Sequence, residues 1–303
     1  IADAYQAVGE LVGVPAQQIA FTENATASFV QALSSIRFEA GDVLLTTSND
    51  YVSNQIQLLS LQQHLGVRVV RIPDLPEGGV DPDAARTLIT AEQPRLVCVT
   101  HVPTNSGLVQ DVKAVGAVCR EHDVTYLVDA CQSVGQMPLD LEEIGADFLS
   151  ATARKYLRGP RGSGFLAVSQ RALDAQLMPL FPDLHSARWV SENSFEPAQD
   201  ARRFENWEFA WSLVLGTGAA ARYALELGLT EIDQRVRALA ARLRAGLDEI
   251  EGASVLDRGP DLCGIVTTWI DGKDPRELEL RLREEGIYTS SQSRDNAVLD
   301  YDS

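Results

Sequence analysis

Two residues of opposite charge stand at the ends of two apolar, β-rich runs. Asp129 closes Tyr126-Leu127-Val128-Asp129, and Lys155 follows the run Asp147 to Ala153. Carboxyl ends of strands are where open α/β sheets place their ligand-binding groups. A lysine alone at a strand end is ordinarily solvated surface, and a strand-end aspartate ordinarily makes a turn. Together they match what pyridoxal 5'-phosphate chemistry asks of a protein. A lysine amine condenses with the cofactor aldehyde as a Schiff base, and a carboxylate against the pyridine nitrogen keeps it protonated, so that the ring accepts electrons.

Other chemistry-bearing residues lie at similar junctions. Thr22-Glu23-Asn24-Ala25-Thr26 links a strand (Gln18 to Phe21) to a helix running through Ile36. Free N–H groups and the helix dipole make such a turn an anion site, and a plain helix cap is the equally open reading. Ser48-Asn49-Asp50-Tyr51 follows the strand Asp42 to Thr47. His101, one of four histidines, has no neighbours that suggest a metal cluster, so a structural hydrogen-bonding role is expected.

The runs V-D-A-C-Q-S-V-G-Q and S-A-T-A-R-K-Y-L-R-G-P-R-G-S-G resemble the class V aminotransferase family of fold type I pyridoxal phosphate enzymes, over nearly the whole chain. That family holds cysteine desulfurases, selenocysteine lyases, kynureninases and isopenicillin N epimerase-like proteins, and the R-K-Y-L-R-G-P-R-G stretch is most similar to its C–S lyase-like branch. The resemblance implies roles residue by residue. Lys155 carries the cofactor and acts as the catalytic base, and Asp129 faces the pyridine nitrogen. Gln132 hydrogen-bonds the cofactor O3′, and Thr104 sits beside the phenolate oxygen. Ala25, Thr26 and Thr152 contact the phosphate. Tyr51 takes the ring-stacking place that desulfurases give to histidine, with a core aromatic as the other reading. Arg154 replaces a desulfurase histidine; it adds positive charge near the phosphate and cannot act as acid or base. Arg158 and Arg161 are open between solvated surface and an acidic substrate group. Arg203-Phe204-Glu205 matches a family R/K-F-E motif, but Asn206-Trp207-Glu208 follows where desulfurases have Gly-Thr, and Trp207 is open between pocket lining and packing.

The elements needed to hold these residues alternate strand and helix, which predicts an α/β fold. The expectation is a large domain over 1–210 with a mostly parallel seven-stranded sheet between helices. A linking helix and an incomplete, smaller α+β C-terminal domain follow over 211–303. Helices are expected over Val52 to His64, Val112 to His122, Trp211 to Gly228, Thr230 to Ile250 and Pro275 to Glu285. Strands are expected over Val67 to Ile72, Arg95 to His101, Gly164 to Ser169 and Cys263 to Ile270, with a strand starting at Gly286 to Ser290. Leu180 to Phe204 reads as irregular, a candidate active-site or dimer loop. The resemblance further implies an N-terminal arm ahead of residue 1 and elements past residue 303, including an arginine that clamps the substrate carboxylate.

Composition narrows the partners. A net charge of -17 and a pI of about 4.6 argue against a nucleic-acid backbone or an anionic membrane surface. Four dispersed cysteines contain no C-x-x-C pair, so neither a metal site nor a disulfide framework is expected. No apolar run approaches the ~20 residues of a membrane helix. A cytoplasmic location is therefore expected, and the resemblance implies a homodimer acting on an amino acid. Thr289 to Asn296 holds no cysteine, which disfavours a persulfide-forming desulfurase. β-Elimination of an S-substituted cysteine ranks first, then transamination, then epimerisation. A catalytically silent binding protein ranks far below these, and a nucleotide-binding protein is disfavoured because no phosphate-loop glycine motif is present.

Overall fold

The computed structural model describes residues 1–301. Its first part alternates helix and strand: α1 (Ala2–Leu11), β1 (Ile19–Thr22), α2 (Ala25–Ser34), β2 (Val43–Thr46), α3 (Val52–Leu65), β3 (Arg68–Arg71), α4 (Pro82–Glu92) and β4 (Leu96–Thr100). It continues through α5 (Val112–Glu121), β5 (Thr125–Asp129), α6 (Leu141–Ile144), β6 (Phe148–Thr152), β7 (Gly164–Val168) and α7 (Gln170–Asp174). A hairpin of β8 (Ala187–Ser191) and β9 (Ser194–Pro197) precedes two long helices, α8 (Trp211–Leu227) and α9 (Leu229–Asp248). Two short strands, β10 (Ala253–Val255) and β11 (Thr268–Ile270), then lead to α10 (Pro275–Glu284).

Seven strands form one sheet in the order β1-β7-β6-β5-β4-β2-β3. β7 pairs antiparallel with both its neighbours and every other pairing is parallel, so β7 alone runs against the rest. Helices cover both faces, and the strands other than the edge strand β3 (Arg-Val-Val-Arg) are accordingly buried on both sides rather than alternating with solvent-facing residues. The period of two still sorts the side chains. Val97, Val99, Tyr126, Val128 and Leu149 face one core with α1, α4 and α5, while Cys98, Leu127 and Phe148 face the other with Phe29, Leu33 and Leu58. The expected seven-stranded, mostly parallel sheet is the one observed. Its parallel strands bring the carboxyl ends of β2, β4, β5 and β6 to one edge.

The linking helix α8 lies against α1. A Cβ on Gly218 would sit 2.7 Å from Ala4 Cα, so glycine is what allows the close approach. Arg222 reaches Asp3 at 2.8 Å and also pairs with Glu10. β10 and β11 form a separate antiparallel pair. A buried ion pair, Arg244 with Asp257 at 2.9 Å, fastens this part to the loop after β4, where Asp257 Oδ1 accepts from the Gly107 N–H at 2.8 Å.

Three expectations are corrected. Within 180–204 the chain forms the β8–β9 hairpin rather than staying irregular. The strand expected over Cys263 to Ile270 shrinks to β11, because Cys263 and its neighbours instead hydrogen-bond the Gly107 loop. No strand forms at Gly286 to Ser290. In all three places sheet pairing depends on a neighbouring chain segment, which local pattern does not specify.

Candidate active site

Lys155 sits in a tight turn past β6. The turn closes through Arg158 N–H to Lys155 O at 2.9 Å and Gly159 N–H to Ala153 O at 2.8 Å. Arg158 takes a left-handed φ of 61° there and lays its guanidinium 5.1 Å from the Tyr223 ring of α8. Arg158 is thereby a tie between the lysine turn and the linking helix. Lys155 Nζ has no hydrogen-bond partner among the described residues and stands 5.6 Å from the centre of the Tyr51 ring. It faces a cavity of about 450 Å³ lined also by Thr26, Asn54, Asp129, Cys131, Thr152 and Arg154.

Asp129 is 3% exposed at the end of β5. Its Oδ1 accepts from Cys131 N–H at 2.9 Å and its Oδ2 from Asn54 Nδ2 at 2.8 Å. Asn54 belongs to the first turn of α3, three residues after Tyr51, so both side chains leave one face of that helix. Sequence reasoning passed over Asn54, although the three-residue spacing from Tyr51 was the available signal. Cys131 borders the same cavity, and burial, reinforced by the Asp129 carboxylate, pushes its thiol well above the ordinary thiol range. It is a poor thiolate there.

The opposite end of the cavity is built for an anion. α2 starts at Ala25, and the Asn24 side chain caps it by accepting from Ala27 N–H at 2.9 Å. That cap leaves the Ala25 and Thr26 N–H groups without acceptors among the described residues. β7 passes directly beneath: a Cβ on Gly164 would lie 2.6 Å from Asn24 C and 2.8 Å from Ala25 N, so only glycine admits the helix end this close. Thr152 borders the space from β6, and Arg154 and Arg161 are exposed with no ion-pair partner among the described residues. The cap and anion readings of the Thr22–Thr26 turn are thus compatible, since Asn24 supplies the cap and the next two residues keep free donors.

Ala25, Thr26, Tyr51, Asp129, Thr152, Arg154 and Lys155 all line this one cavity. Gln132 and Thr104 do not. They meet each other instead, Gln132 Nε2 lying 3.5 Å from Thr104 Oγ1, and Thr104 borders an adjoining cavity of about 210 Å³ with Tyr51, Asn105, Gln292 and Asn296. His101 is buried, but its Nδ1 has no partner among the described residues, so the expected structural hydrogen bond is absent, and burial pushes its pKa down to about 4. Trp207 neither lines the cavity nor packs inside; it is 58% exposed. Glu205 is fully buried, accepting from Tyr5 Oη at 2.8 Å and Phe21 N–H at 2.7 Å and facing His185 Nε2 at 2.9 Å. Arg203 is buried among the carbonyls of Ala198, Leu173 and Leu177. The R-F-E motif therefore braces β1 and α7 and does not enter the cavity.

A lysine amine without a partner among the described residues, a buried carboxylate held by Asn54 and a helix start with spare N–H donors line one cavity. The donor sets fit pyridoxal 5'-phosphate: carboxylate for pyridinium, amine for aldehyde, N–H and guanidinium for phosphate. Fold and site thus define a fold type I pyridoxal phosphate enzyme.

The chain belongs to the class-V aminotransferase family, which matches residues 1–294. It is similar to a probable cysteine desulfurase of Methanothermobacter thermautotrophicus, 30% identical over 284 residues that cover 93% of this chain and 70% of that protein. A probable cysteine desulfurase of Xylella fastidiosa is 29% identical, over 88% of this chain and 63% of that one. The chain thus spans roughly two thirds of the curated relatives it matches. Among solved structures, the apo cysteine desulfurase of Thermococcus onnurineus superposes with a TM-score of 0.90 at 25% identity, over 99% of this chain and 75% of that one. The cystine C–S lyase C-DES, in complex with its product cysteine persulfide, shares the fold, with a TM-score of 0.86 at 24% identity, over 96% of this chain and 78% of that one.

Proposed function

We propose that this protein cleaves the C–S bond of an S-substituted cysteine by β-elimination, using the Lys155 cavity. The observation that carries the reading is Lys155 Nζ, unpaired and facing the same cavity as the buried Asp129 carboxylate. Bound pyridoxal phosphate supplies the electron sink that acidifies the substrate Cα–H and lets the Cβ–S bond break. Ala25 and Thr26 N–H, Thr152 and Arg154 hold its phosphate, Asp129 keeps the proton on its ring nitrogen, and Tyr51 packs on its face. Gln132 and Thr104, which pair with each other, would supply the hydrogen bonds to its phenolate oxygen that the family resemblance implies.

Lys155 Nζ takes the Cα proton as general base, and as the Cβ–S bond breaks the same ammonium gives a proton to the departing sulfur. With one water consumed, the remaining products would be pyruvate and ammonia. Arg154, fixed in its charge, holds anions and moves no proton. The absence of a cysteine from Thr289 to Asn296 favours direct release of the sulfur product over its capture on a thiol of that segment. Three of the four cysteines are buried, and the fourth, Cys131, is held as a thiol.

The partner expected beside the amino-acid substrate is a second copy of this chain. Phe181, Leu184 and Trp189 are 81%, 73% and 80% exposed, an apolar surface of the kind that subunit contacts cover. No helix among the described residues is long and apolar enough to cross a membrane; a cytoplasmic location is part of this proposal.

The deciding experiment supplies the protein with pyridoxal phosphate and a panel of S-substituted cysteines, with and without a 2-oxo-acid acceptor. Acceptor-independent release of thiol, pyruvate and ammonia is the expected result. Turnover only with the acceptor, yielding a new amino acid, would make the protein a transaminase, and turnover with neither would point to epimerisation or another substrate class.

A further inference from the structure

The residue before Tyr51 is a carboxylate with no part in the chemistry above, and its surroundings are unusual. Asp50 accepts five hydrogen bonds: from the Thr46 hydroxyl, Thr47 N–H at 3.4 Å, Thr47 Oγ1 at 3.0 Å, Gln55 Nε2 at 2.9 Å and Thr100 N–H at 2.9 Å. No cation contacts it among the described residues. Three elements supply the donors, namely the end of β2, the end of β4 and the first turn of α3. An ordinary helix cap uses donors from its own helix only, so Asp50 ties separate elements together.

Those ties converge on the cofactor cavity. Tyr51 N–H points at Thr100 Oγ1, 3.4 Å away, so residues 50 and 51 are both fastened to Thr100. Thr100 lies opposite Asp129 in the β4–β5 register. Asn54, from the same turn of α3, holds the Asp129 side chain. The backbone that sets the Tyr51 ring and the strand end that sets the Asp129 carboxylate are therefore referenced to one point. A phenol side chain without such ties would lose its fixed placement, since among the described residues the turn has no other side-chain anchors to β4.

We propose that Asp50 is a positioning residue that fixes the Tyr51 ring against the cofactor, acting through the β2–α3 turn and Thr100. The inference rests on Tyr51 being the ring-stacking residue, and it needs a test that separates the two ideas.

The test is a double-mutant cycle on cofactor binding, with no substrate present. Apoprotein with the wild-type sequence, Asp50→Asn, Tyr51→Ala and the double variant is titrated with pyridoxal 5'-phosphate, reading the dissociation constant and the circular dichroism of the bound cofactor's visible band. Asp50→Asn keeps shape and volume but turns an acceptor into a donor that faces other donors. It is expected to weaken binding about tenfold when Tyr51 is present and less than about twofold when residue 51 is alanine. The dichroic band is expected to change alike in both single variants.

Equal losses in the two backgrounds would overturn the positioning role and leave the stacking role standing. A Tyr51→Ala protein with wild-type affinity and band would overturn stacking, and positioning with it. Should Asp50→Asn fail to fold, Thr47→Val, which removes one hydroxyl donor at 3.0 Å, goes through the same cycle with a smaller loss expected in the same direction.

Discussion

Asn54 Nδ2 and Asp129 Oδ2 meet at 2.8 Å, joining residues 75 apart in the chain and fixing the carboxylate at the wall of the cofactor cavity. The amide is neutral, so it orients Asp129 without competing for the pyridinium proton. Asn54→Ala should free the carboxylate to rotate and weaken pyridoxal phosphate binding by about tenfold. Asn54→Asp should be worse, because a second carboxylate at that distance raises the pKa of the pair. Equilibrium titration of the two apoproteins, with the cofactor absorption band as readout, checks the order.

Lys155→Ala removes the only amine in the cavity but leaves its phosphate donors in place. Turnover should fall by at least about a thousandfold, the scale on which general-base removal and loss of covalent attachment combine. Cofactor should still bind, now released by dialysis and no longer fixed by borohydride. Wild-type-like turnover by this variant would remove the basis for the whole assignment.

Arg154 is exposed and has no ion-pair partner among the described residues, so its charge is available to a phosphate. Arg154→Leu should lower affinity for pyridoxal phosphate by about tenfold and leave affinity for pyridoxal, which has no phosphate, unchanged. A matching drop for both ligands would place Arg154 elsewhere in the site.

His101 gives the stability a pH dependence. Burial lowers its pKa from 6.5 to about 4, so between those values the unfolded chain takes up a proton that the folded protein refuses. Its contribution is complete above pH 6.5, declines as pH falls toward about 4 and is constant below that, a span of roughly 3 kcal/mol. Denaturant unfolding of the wild type and of His101→Gln at intervals from pH 4 to pH 7 should show the wild type losing roughly 3 kcal/mol relative to the variant over that range as pH falls.

Much of the site was legible because its residues sit where local pattern is strongest. Apolar runs ending in Asp129 and just before Lys155 mark strand ends, and Asn24-Ala25-Thr26 marks a helix start; each chemical role follows from residue type at such a junction. Three things were not legible. The Asn54 contact and the Asp50 cluster join residues remote in sequence or on different elements. The β8–β9 hairpin needs both its strands before either is stable. Burial of Arg203 and Glu205 is set by neighbours from β1 and α7, so a motif matched by sequence turned out to brace the sheet.

The sequence by itself determined the succession of the seven strands of the main sheet, the presence of a lysine and carboxylate at strand ends and the acidic, cysteine-poor character of the chain, since all of these are local or compositional. Only the tertiary structure decided that seven of the predicted cofactor residues share one cavity while Gln132 and Thr104 pair with each other beside it. It also decided that the Asp129 carboxylate at the end of β5 is held by an asparagine from helix α3. The reason is physical: strand pairing and side-chain packing bring together residues tens of positions apart, and those distances depend on the whole sheet rather than on any segment of it.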